Sequence, residues 1–160
     1  MRKLFLTVFY SGLSPKAPGT VGSFVALILG VLLLQYIPES TMFLLAFLIS
    51  VIAVREINKY EKEVGEHDSK EIVIDELAGM WIALSIAVDI EGISLWLAAV
   101  LSFVFFRIFD IWKPSVIGRI DKNVKGGWGV MGDDIVAGLA AGIATSGTYF
   151  LIEKYILPII

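Results

Sequence analysis

The stretch 21–54, VGSFVALILGVLLLQYIPESTMFLLAFLISVIAV, decides the fold class. It holds two apolar runs separated by only three residues, and Glu39 is its single charged residue. Including this pair, the chain contains five apolar runs of 12 to 18 residues, at 21–37, 41–54, 77–88, 93–109 and 135–152. A helix needs about 20 residues to cross about 30 Å of hydrocarbon, so flanking residues must complete several crossings. The pattern predicts an all-α integral membrane bundle of about five apolar helices.

The overall composition supports a membrane protein. Of the 160 residues, 57% are apolar and 18% are charged, and the mean hydropathy is +0.81. Soluble domains usually have about 45–50% apolar and about 25% charged residues, so a soluble protein with an unusually apolar core is the weaker alternative. No repeat, low-complexity tract or interdomain linker interrupts the chain, which predicts one domain over 1–160.

Several classes of function are excluded by composition. The net charge of −3 gives no basic surface for nucleic acid. The absence of cysteine excludes a disulfide scaffold, a thiolate-bound metal and a cysteine nucleophile. His67 is the only histidine, which excludes a His–His phosphatase pair and a three-histidine zinc site. Catalysis must therefore use carboxylates, lysine, arginine, hydroxyl groups and metal.

The distribution of positive charge predicts the orientation. If all five runs cross the membrane, twelve of the thirteen Lys and Arg residues fall on one side, and only Lys154 falls on the other. By the positive-inside rule, the long loops face the cytoplasm. Residues 1–10 lack a signal-peptide cleavage site and predict a retained amphipathic segment on the membrane surface.

The first polar segment is 11–23, SGLSPKAPGTVGS. Its prolines and glycines lead into the first apolar run, and a helix that begins after a glycine-bearing turn offers free N–H groups to phosphate. Lys16 adds a positive charge, and Thr20 and Ser23 add hydroxyl donors. The alternative is a membrane-entry loop whose proline and glycine only cap a helix.

The second polar segment is 67–79, HDSKEIVIDELAG. If the segment is helical, Asp68, Glu71 and Asp75 share one face because of their i, i+3, i+7 spacing, and Glu76 lies beside them. Carboxylates gathered from several segments suit magnesium, which keeps waters and shares phosphate oxygens. A solvated acidic loop is the alternative, but it explains Asp75 and Glu76 poorly because they adjoin an apolar run.

The third polar segment is 106–138, FRIFDIWKPSVIGRIDKNVKGGWGVMGDDIVAG. Arg107 and Asp110 are one helical turn apart, Lys113 follows, and Asp133 and Asp134 are expected to open the fifth run. The aspartate pair could simply cap that helix. However, five carboxylates at one predicted membrane boundary require cations. This combination predicts metal-assisted phosphoryl transfer. The rivals are a cation channel or transporter, and a non-catalytic lipid-binding protein.

These three segments closely resemble the phosphatidylglycerophosphatase A family, in order from about residue 11 to 142. The resemblance implies a Mg²⁺-dependent phosphatase that converts phosphatidylglycerophosphate to phosphatidylglycerol, a step toward cardiolipin. It also implies a phospholipid partner, the bacterial inner membrane, and a site facing the cytoplasm, where the substrate is made. A phosphatase for another lipid, such as phosphatidic acid, is the alternative. The chain has Lys113-Pro114-Ser115-Val116 where the family often has a second proline.

The resemblance and the polar segments together assign candidate roles. The catalytic candidates are Asp68, Glu71, Asp75 and Asp133, with Asp133 or Asp68 as general base. The candidate metal ligands are Asp75, Glu76, Asp110 and Asp134. The candidate phosphate contacts are Lys16, Thr20, Ser23, Arg107 and Lys113. An aspartyl-phosphate intermediate and the oligomeric state both stay open.

Overall fold

The computed structural model describes residues 1–65, 69–89 and 92–155. Within these ranges all regular structure is helical, which confirms the predicted class. A 3₁₀ turn, Ser11–Leu13, lies between the first two of the α-helices. The helices are α1 Arg2–Leu6, α2 Pro18–Leu33, α3 Glu39–Val64, α4 Ile74–Val88, α5 Leu95–Trp112, α6 Val116–Asn123 and α7 Gly127–Tyr155.

Three of these helices, α3, α5 and α7, are long and apolar enough to cross a membrane, with 26, 18 and 29 residues. They indicate a membrane protein. The helix α2 is also apolar but has only 16 residues. The five predicted apolar runs thus correspond to α2, α3, α4, α5 and α7, and they differ in length more than the sequence indicated.

The helix α4 forms the centre of the bundle. Twelve of its residues are buried, and α2, α3, α5 and α7 all pack against it. A helix that is apolar on every side must be covered on every side. The run 77–88 is therefore a core helix, which explains why it is the shortest of the five.

Successive helices of the bundle run in opposite directions. The beginnings of α2 and α4 meet the end of α5, where Ser23, Glu76 and Arg107 are hydrogen-bonded to one another. The side-chain oxygen of Asn58, in the last third of α3, accepts a hydrogen bond from the N–H of Gly127 at the start of α7. One end of the bundle therefore gathers the starts of three helices and the ends of two.

The N-terminal segment is anchored in the bundle rather than lying freely on a surface. Leu6 and Val8 are buried in the core, and the carbonyl of Leu6 accepts a hydrogen bond from the N–H of Val73. Phe9 and Tyr10 remain exposed. The segment is therefore part of the fold, and its position on the membrane surface stays a prediction.

One predicted helix boundary is wrong, and the condition for one helical face is not met. The helix α7 begins at Gly127, so Asp133 and Asp134 lie in its second turn instead of opening it. The helix α4 begins at Ile74, and described residues 69–73 are not helical. Consequently Glu71 and Asp75 do not share a helical face. The short helix α6 was not anticipated, because its eight residues lie within a segment interpreted as polar loop.

Candidate active site

A polar cavity of about 220 Å³ opens at the end of the bundle where α2, α4 and α7 begin. At its base, one carboxylate oxygen from each of Glu76, Asp110 and Asp134 lies within 4.8 Å of the other two. These residues come from α4, α5 and α7. The bundle therefore brings together three acidic side chains that are far apart in the sequence, and we call them the carboxylate triad.

Arg107 connects two members of the triad. Its Nη1 atom donates to Glu76 Oε2 at 2.7 Å and lies 2.9 Å from Asp110 Oδ2, one turn along α5. Ser23 donates its hydroxyl proton to Glu76 Oε2 at 2.6 Å, and its Oγ lies 2.9 Å from Arg107 Nη1. Glu76 is thus held from two sides, which fixes the direction in which its other oxygen points.

The third member of the triad, Asp134, is only 3% exposed. Within the described ranges it has no hydrogen-bond or ion-pair partner. One arginine faces three carboxylates, so the cluster carries a net charge of −2 if all three are ionised. A buried carboxylate without a cation is costly, and oxygen ligands suit a hard divalent metal. The triad therefore has the donor set and the charge deficit of a metal site.

Lys113 forms a second electrostatic group at the rim of the cavity. Its ammonium lies 2.7 Å from Asp133 Oδ2 and also contacts Asp121 of α6. Partial burial alone would lower the pKa of Lys113, but the hydrogen bonds to Asp121 and Asp133 outweigh burial and raise that pKa above its usual value. Lys113 therefore remains positively charged beside the triad.

The start of α2 closes one wall of the cavity, with Pro18 and Gly19 in the lining. A Cβ atom added to Gly19 would collide with Glu76 Oε1 and would come within 3.7 Å of Arg107 Nη1. A larger residue at position 19 would have to displace the Glu76 carboxylate from its hydrogen bonds with Arg107 and Ser23. The first N–H groups of a helix have no partner within the helix, so the start of α2 offers donors beside the carboxylates.

Most of the predicted acidic residues meet in this cavity. Its lining includes Asp75, Glu76, Asp110, Lys113, Asp133 and Asp134. Two further candidates, Arg107 and Ser23, hold Glu76 from behind. The structure thus joins residues from the first, second and third polar segments in one site.

Other candidates lie elsewhere. Glu71 forms an ion pair with Lys3 at 2.9 Å and does not line the cavity. Lys16 and Thr20 are exposed and are also absent from its lining. Asp68, the alternative general base, lies outside the described residues, as does His67. Roles for these residues remain predictions.

Sequence reasoning missed Asp121, Gly19 and Lys70 as cavity residues. Asp121 belongs to α6, and only the fold brings it to Lys113. Gly19 belongs to the glycine-bearing turn of the first polar segment, and in the structure it allows close packing against Glu76. Lys70 belongs to the second polar segment and was not assigned a role.

Comparison with known proteins gives a consistent result. The family model for phosphatidylglycerophosphatase A matches residues 4–149. Phosphatidylglycerophosphatase A of Escherichia coli K12 is 44% identical over 84% of this chain and 76% of its own length. The Haemophilus influenzae protein of the same name is 35% identical over 93% of this chain and 86% of its own length.

A relative from Bacteroides thetaiotaomicron, provisionally named phosphatidylinositol-3-phosphatase, is 39% identical over 83% of this chain and 84% of its own length. No solved structure matches the chain significantly. The family match covers nearly all of the helical bundle and every described residue of the cavity. The chain therefore belongs to the phosphatidylglycerophosphatase A family.

Proposed function

We propose that this protein hydrolyses phosphatidylglycerophosphate to phosphatidylglycerol and phosphate, with Mg²⁺ as its cofactor. The observation that carries the proposal is the carboxylate triad, which faces a polar cavity at one end of a bundle with membrane-spanning helices. A lipid phosphatase needs this combination, since its substrate is anchored in the bilayer while its phosphate must reach a polar site. Two relatives bear the name of this activity.

The triad supports a divalent cation at its centre. Glu76, Asp110 and Asp134 would hold Mg²⁺, which when bound neutralises phosphate charge and acts as a Lewis acid on a phosphoryl oxygen. Asp75 lines the same cavity from the first turn of α4 and would act as a further ligand through water. Arg107 keeps Glu76 and Asp110 in place and balances part of their charge.

The remaining groups suit binding and proton transfer. Lys113 is positioned to contact a nonbridging phosphate oxygen, as an ammonium beside an anionic substrate. Asp133, held by Lys113, would accept a proton from the attacking water. The oxygen of that water bonds to phosphorus, the ester P–O bond breaks, and the released glycerol oxygen takes up a proton. The start of α2 would provide further N–H donors to the phosphate.

The cavity is proposed to face the cytoplasm in a bacterial inner membrane. Its end of the bundle carries almost all of the basic residues, whereas Glu39 and Asp89 lie at the opposite end, together in a separate pocket. This asymmetry is typical of a cytoplasmic face. The site would then lie on the side from which a newly made phospholipid phosphate arrives.

A phosphate-release assay tests the proposal directly. Purified protein in detergent is given diacyl phosphatidylglycerophosphate with Mg²⁺, with EDTA, and with EDTA followed by excess Mg²⁺. We expect release with Mg²⁺, loss with EDTA and recovery on addition of metal. Substrate binding without phosphate release under every condition would favour the non-catalytic lipid-binding protein, and ion flux without hydrolysis would favour a channel.

A second substrate is suggested by the Bacteroides relative, whose provisional name refers to phosphatidylinositol 3-phosphate. The same cavity chemistry would serve any phosphomonoester on a lipid headgroup. Comparing kcat/KM for phosphatidylglycerophosphate, phosphatidylinositol 3-phosphate and phosphatidic acid separates these substrates. We expect the first to be preferred, and a preference for either of the others would change the assignment of substrate but not of reaction.

A further inference from the structure

An apolar cleft of about 520 Å³ lies between α2 and α3, on the surface of α4. Both helices pack on α4 but make almost no contact with each other. Leu29 and Leu33 of α2 form one wall, Ile49 of α3 forms the other, and the segment around α1 closes one end. Although α2 and α3 follow each other in the sequence, they do not pack together, and this leaves an apolar gap between them.

The floor of the cleft is one face of α4. Ile74, Leu77 and Trp81 recur at i, i+3 and i+7 and extend for about 10 Å along the helix axis. The indole N–H of Trp81 donates to the carbonyl of Ala26 at 2.9 Å, so this polar group is already satisfied. Every residue of the lining is apolar, so the cleft offers a ligand hydrocarbon contacts and no hydrogen-bonding side chain.

The lining of the cleft indicates the chemistry of its occupant. An empty cleft would lose dispersion contacts along its walls. A flexible hydrocarbon chain can follow walls formed by side chains of different shapes, and it carries no polar group that this apolar lining would leave without a partner.

The cleft and the reaction cavity lie on different faces of the first turn of α4. Ile74 and Leu77 begin the floor of the cleft, whereas Asp75 and Glu76 between them line the cavity. A polar notch shares Pro18 and Lys70 with the cavity and reaches Lys3 of α1, next to the residues that close the cleft. The three features therefore follow one another around the starts of α2 and α4.

We infer that the cleft between α2 and α3 binds one acyl chain of the lipid substrate while its phosphate occupies the cavity. The glycerol backbone then lies over the polar notch, and the chain follows α4 away from the carboxylates. This inference rests on the proposed lipid phosphatase activity. It makes the cleft a specificity site, which selects a diacyl substrate over the free headgroup.

Filling the cleft tests the inference. Leu33→Trp and Ile49→Trp place a large ring into it from opposite walls, whereas Leu32→Trp and Leu48→Trp put the same ring on the exposed side of the same helices. With a dioleoyl substrate, we expect kcat/KM of the cleft variants to fall at least about tenfold below that of the control variants, because small steric changes in an apolar pocket alter kcat/KM by factors of this size. With the deacylated headgroup, glycerophosphoglycerol phosphate, all four should agree within twofold.

Equal activity of cleft and control variants on the dioleoyl substrate would overturn the inference. An equal loss on both substrates would overturn it too, because the cleft would then act only by supporting the cavity. Conversion of an oligomer to a monomer by the cleft variants alone, with loss of both activities, would show that the cleft is an interface between copies.

Photolabelling gives a second measurement on the unaltered protein. A substrate analogue with a diazirine in the middle of one acyl chain is irradiated with the protein, and the adducts are mapped by mass spectrometry. We expect adducts at Leu33, Ile49 and Trp81 that unlabelled substrate suppresses. Adducts spread evenly over exposed residues such as Leu48 would contradict the assignment.

The two experiments also separate this inference from the proposed function. A wild-type protein that hydrolyses neither the diacyl nor the deacylated substrate contradicts the phosphatase activity, and photolabelling still shows whether the cleft holds a chain. Hydrolysis of both substrates without any effect of the cleft variants contradicts the inference alone.

Discussion

The carboxylate triad concentrates negative charge that only a cation can balance. Neutral substitution of any one member should therefore test whether the triad is needed for activity. Glu76→Gln, Asp110→Asn and Asp134→Asn each keep the shape of the side chain and remove one anionic oxygen donor. We expect each substitution to lower kcat by more than about 100-fold. Substitution of a residue that only supports a metal ligand often lowers metal affinity or activity by about 10- to 100-fold. The phosphate-release assay at saturating Mg²⁺ provides the measurement.

Asp89→Asn is the matched control, because it removes a carboxylate at the opposite end of the bundle. It should retain activity within about twofold. All variants should be compared at equal amounts of membrane-inserted protein. Full activity in any of the three triad variants would remove that residue from the metal site.

Lys113 makes a different kind of contribution, through its charge. Lys113→Met should lower kcat/KM by about 100-fold, the lower end of the range for losing one donor to a transition state. The ion pairs raise the pKa of Lys113, so its charge is fully present below the ordinary lysine value near 10.5 and is lost only when the pH rises through the raised value. The ratio of wild-type to variant activity should therefore stay constant from pH 7 to 9. A ratio that approaches one by pH 9 would mean that the lysine loses its proton in that range.

At this scale, the sequence singled out most of the acidic residues that the structure brings together, but only some of the basic ones. Carboxylates next to apolar runs are costly, so Glu76, Asp110 and Asp134 stood out without a structure. Lys16 was predicted as a phosphate contact because it lies in the glycine-bearing segment before the first apolar run, yet it is exposed and outside the cavity lining. Asp121 carried no signal, because its contact with Lys113 depends on how α6 folds back.

Among the helices, the crossing of α4 and α7 brings Asp134 to Glu76. A Cβ added to Gly138 would collide with the carbonyl oxygen of Gly79, and one added to Gly79 would collide with the carbonyl of Asp134. Gly138→Ala should therefore push the helices apart, at a stability cost of about 1–3 kcal/mol typical of overpacking. Because the triad spans this contact, we expect activity to fall at least tenfold. Thermal unfolding and phosphate release together measure both effects.

Gly147→Ala provides the control on the same helix. A Cβ at Gly147 meets nothing within 4 Å, so only the helix propensity changes, in favour of alanine by about 0.5–1 kcal/mol. This variant should be at least as stable as the wild type and fully active. If Gly138→Ala behaves in the same way, close packing of α4 and α7 does not position the triad.

The apolar runs located the helices but not their environments. A run of 12 residues such as 77–88 could be a short membrane-spanning helix or a buried helix. Its length alone favours the buried helix only slightly over the membrane-spanning one. Burial on all sides becomes evident once α2, α3, α5 and α7 surround it. The start of α7 was misjudged because its glycines at 127, 129 and 132 are typical of a loop. In the structure, Gly127 lets α7 approach α3 closely, and Gly129 packs against Val124 in the connection before α7. Gly127 and Gly129 each face a backbone carbonyl that a Cβ would strike.

In the whole molecule, the alternating directions of the helices place the basic loops and the candidate site at the same end of the bundle. The basic loops lie at the same end of the bundle as the triad and Lys113. One end of the molecule therefore carries both the positive charges from which the orientation is predicted and the candidate site. The core helix α4 holds this arrangement together, since it contributes Glu76 to the cavity and Trp81 to the apolar cleft. The sequence could predict the asymmetry because it depends on loop composition, whereas the cleft depends on packing and could not be predicted.

The orientation is open to a direct test, because the chain contains no cysteine and any introduced thiol is unique. Lys125→Cys places a thiol just before α7 at the cavity end, and Ser40→Cys places one at the opposite end, in the first turn of α3; both positions are exposed. A membrane-impermeant maleimide should label Lys125→Cys in inside-out vesicles and Ser40→Cys in right-side-out vesicles. Both variants lie outside the cavity lining and should keep their activity, which verifies correct insertion. The reverse labelling pattern would move the cavity to the outer face, and a substrate made on the cytoplasmic leaflet would then have to cross the bilayer before hydrolysis.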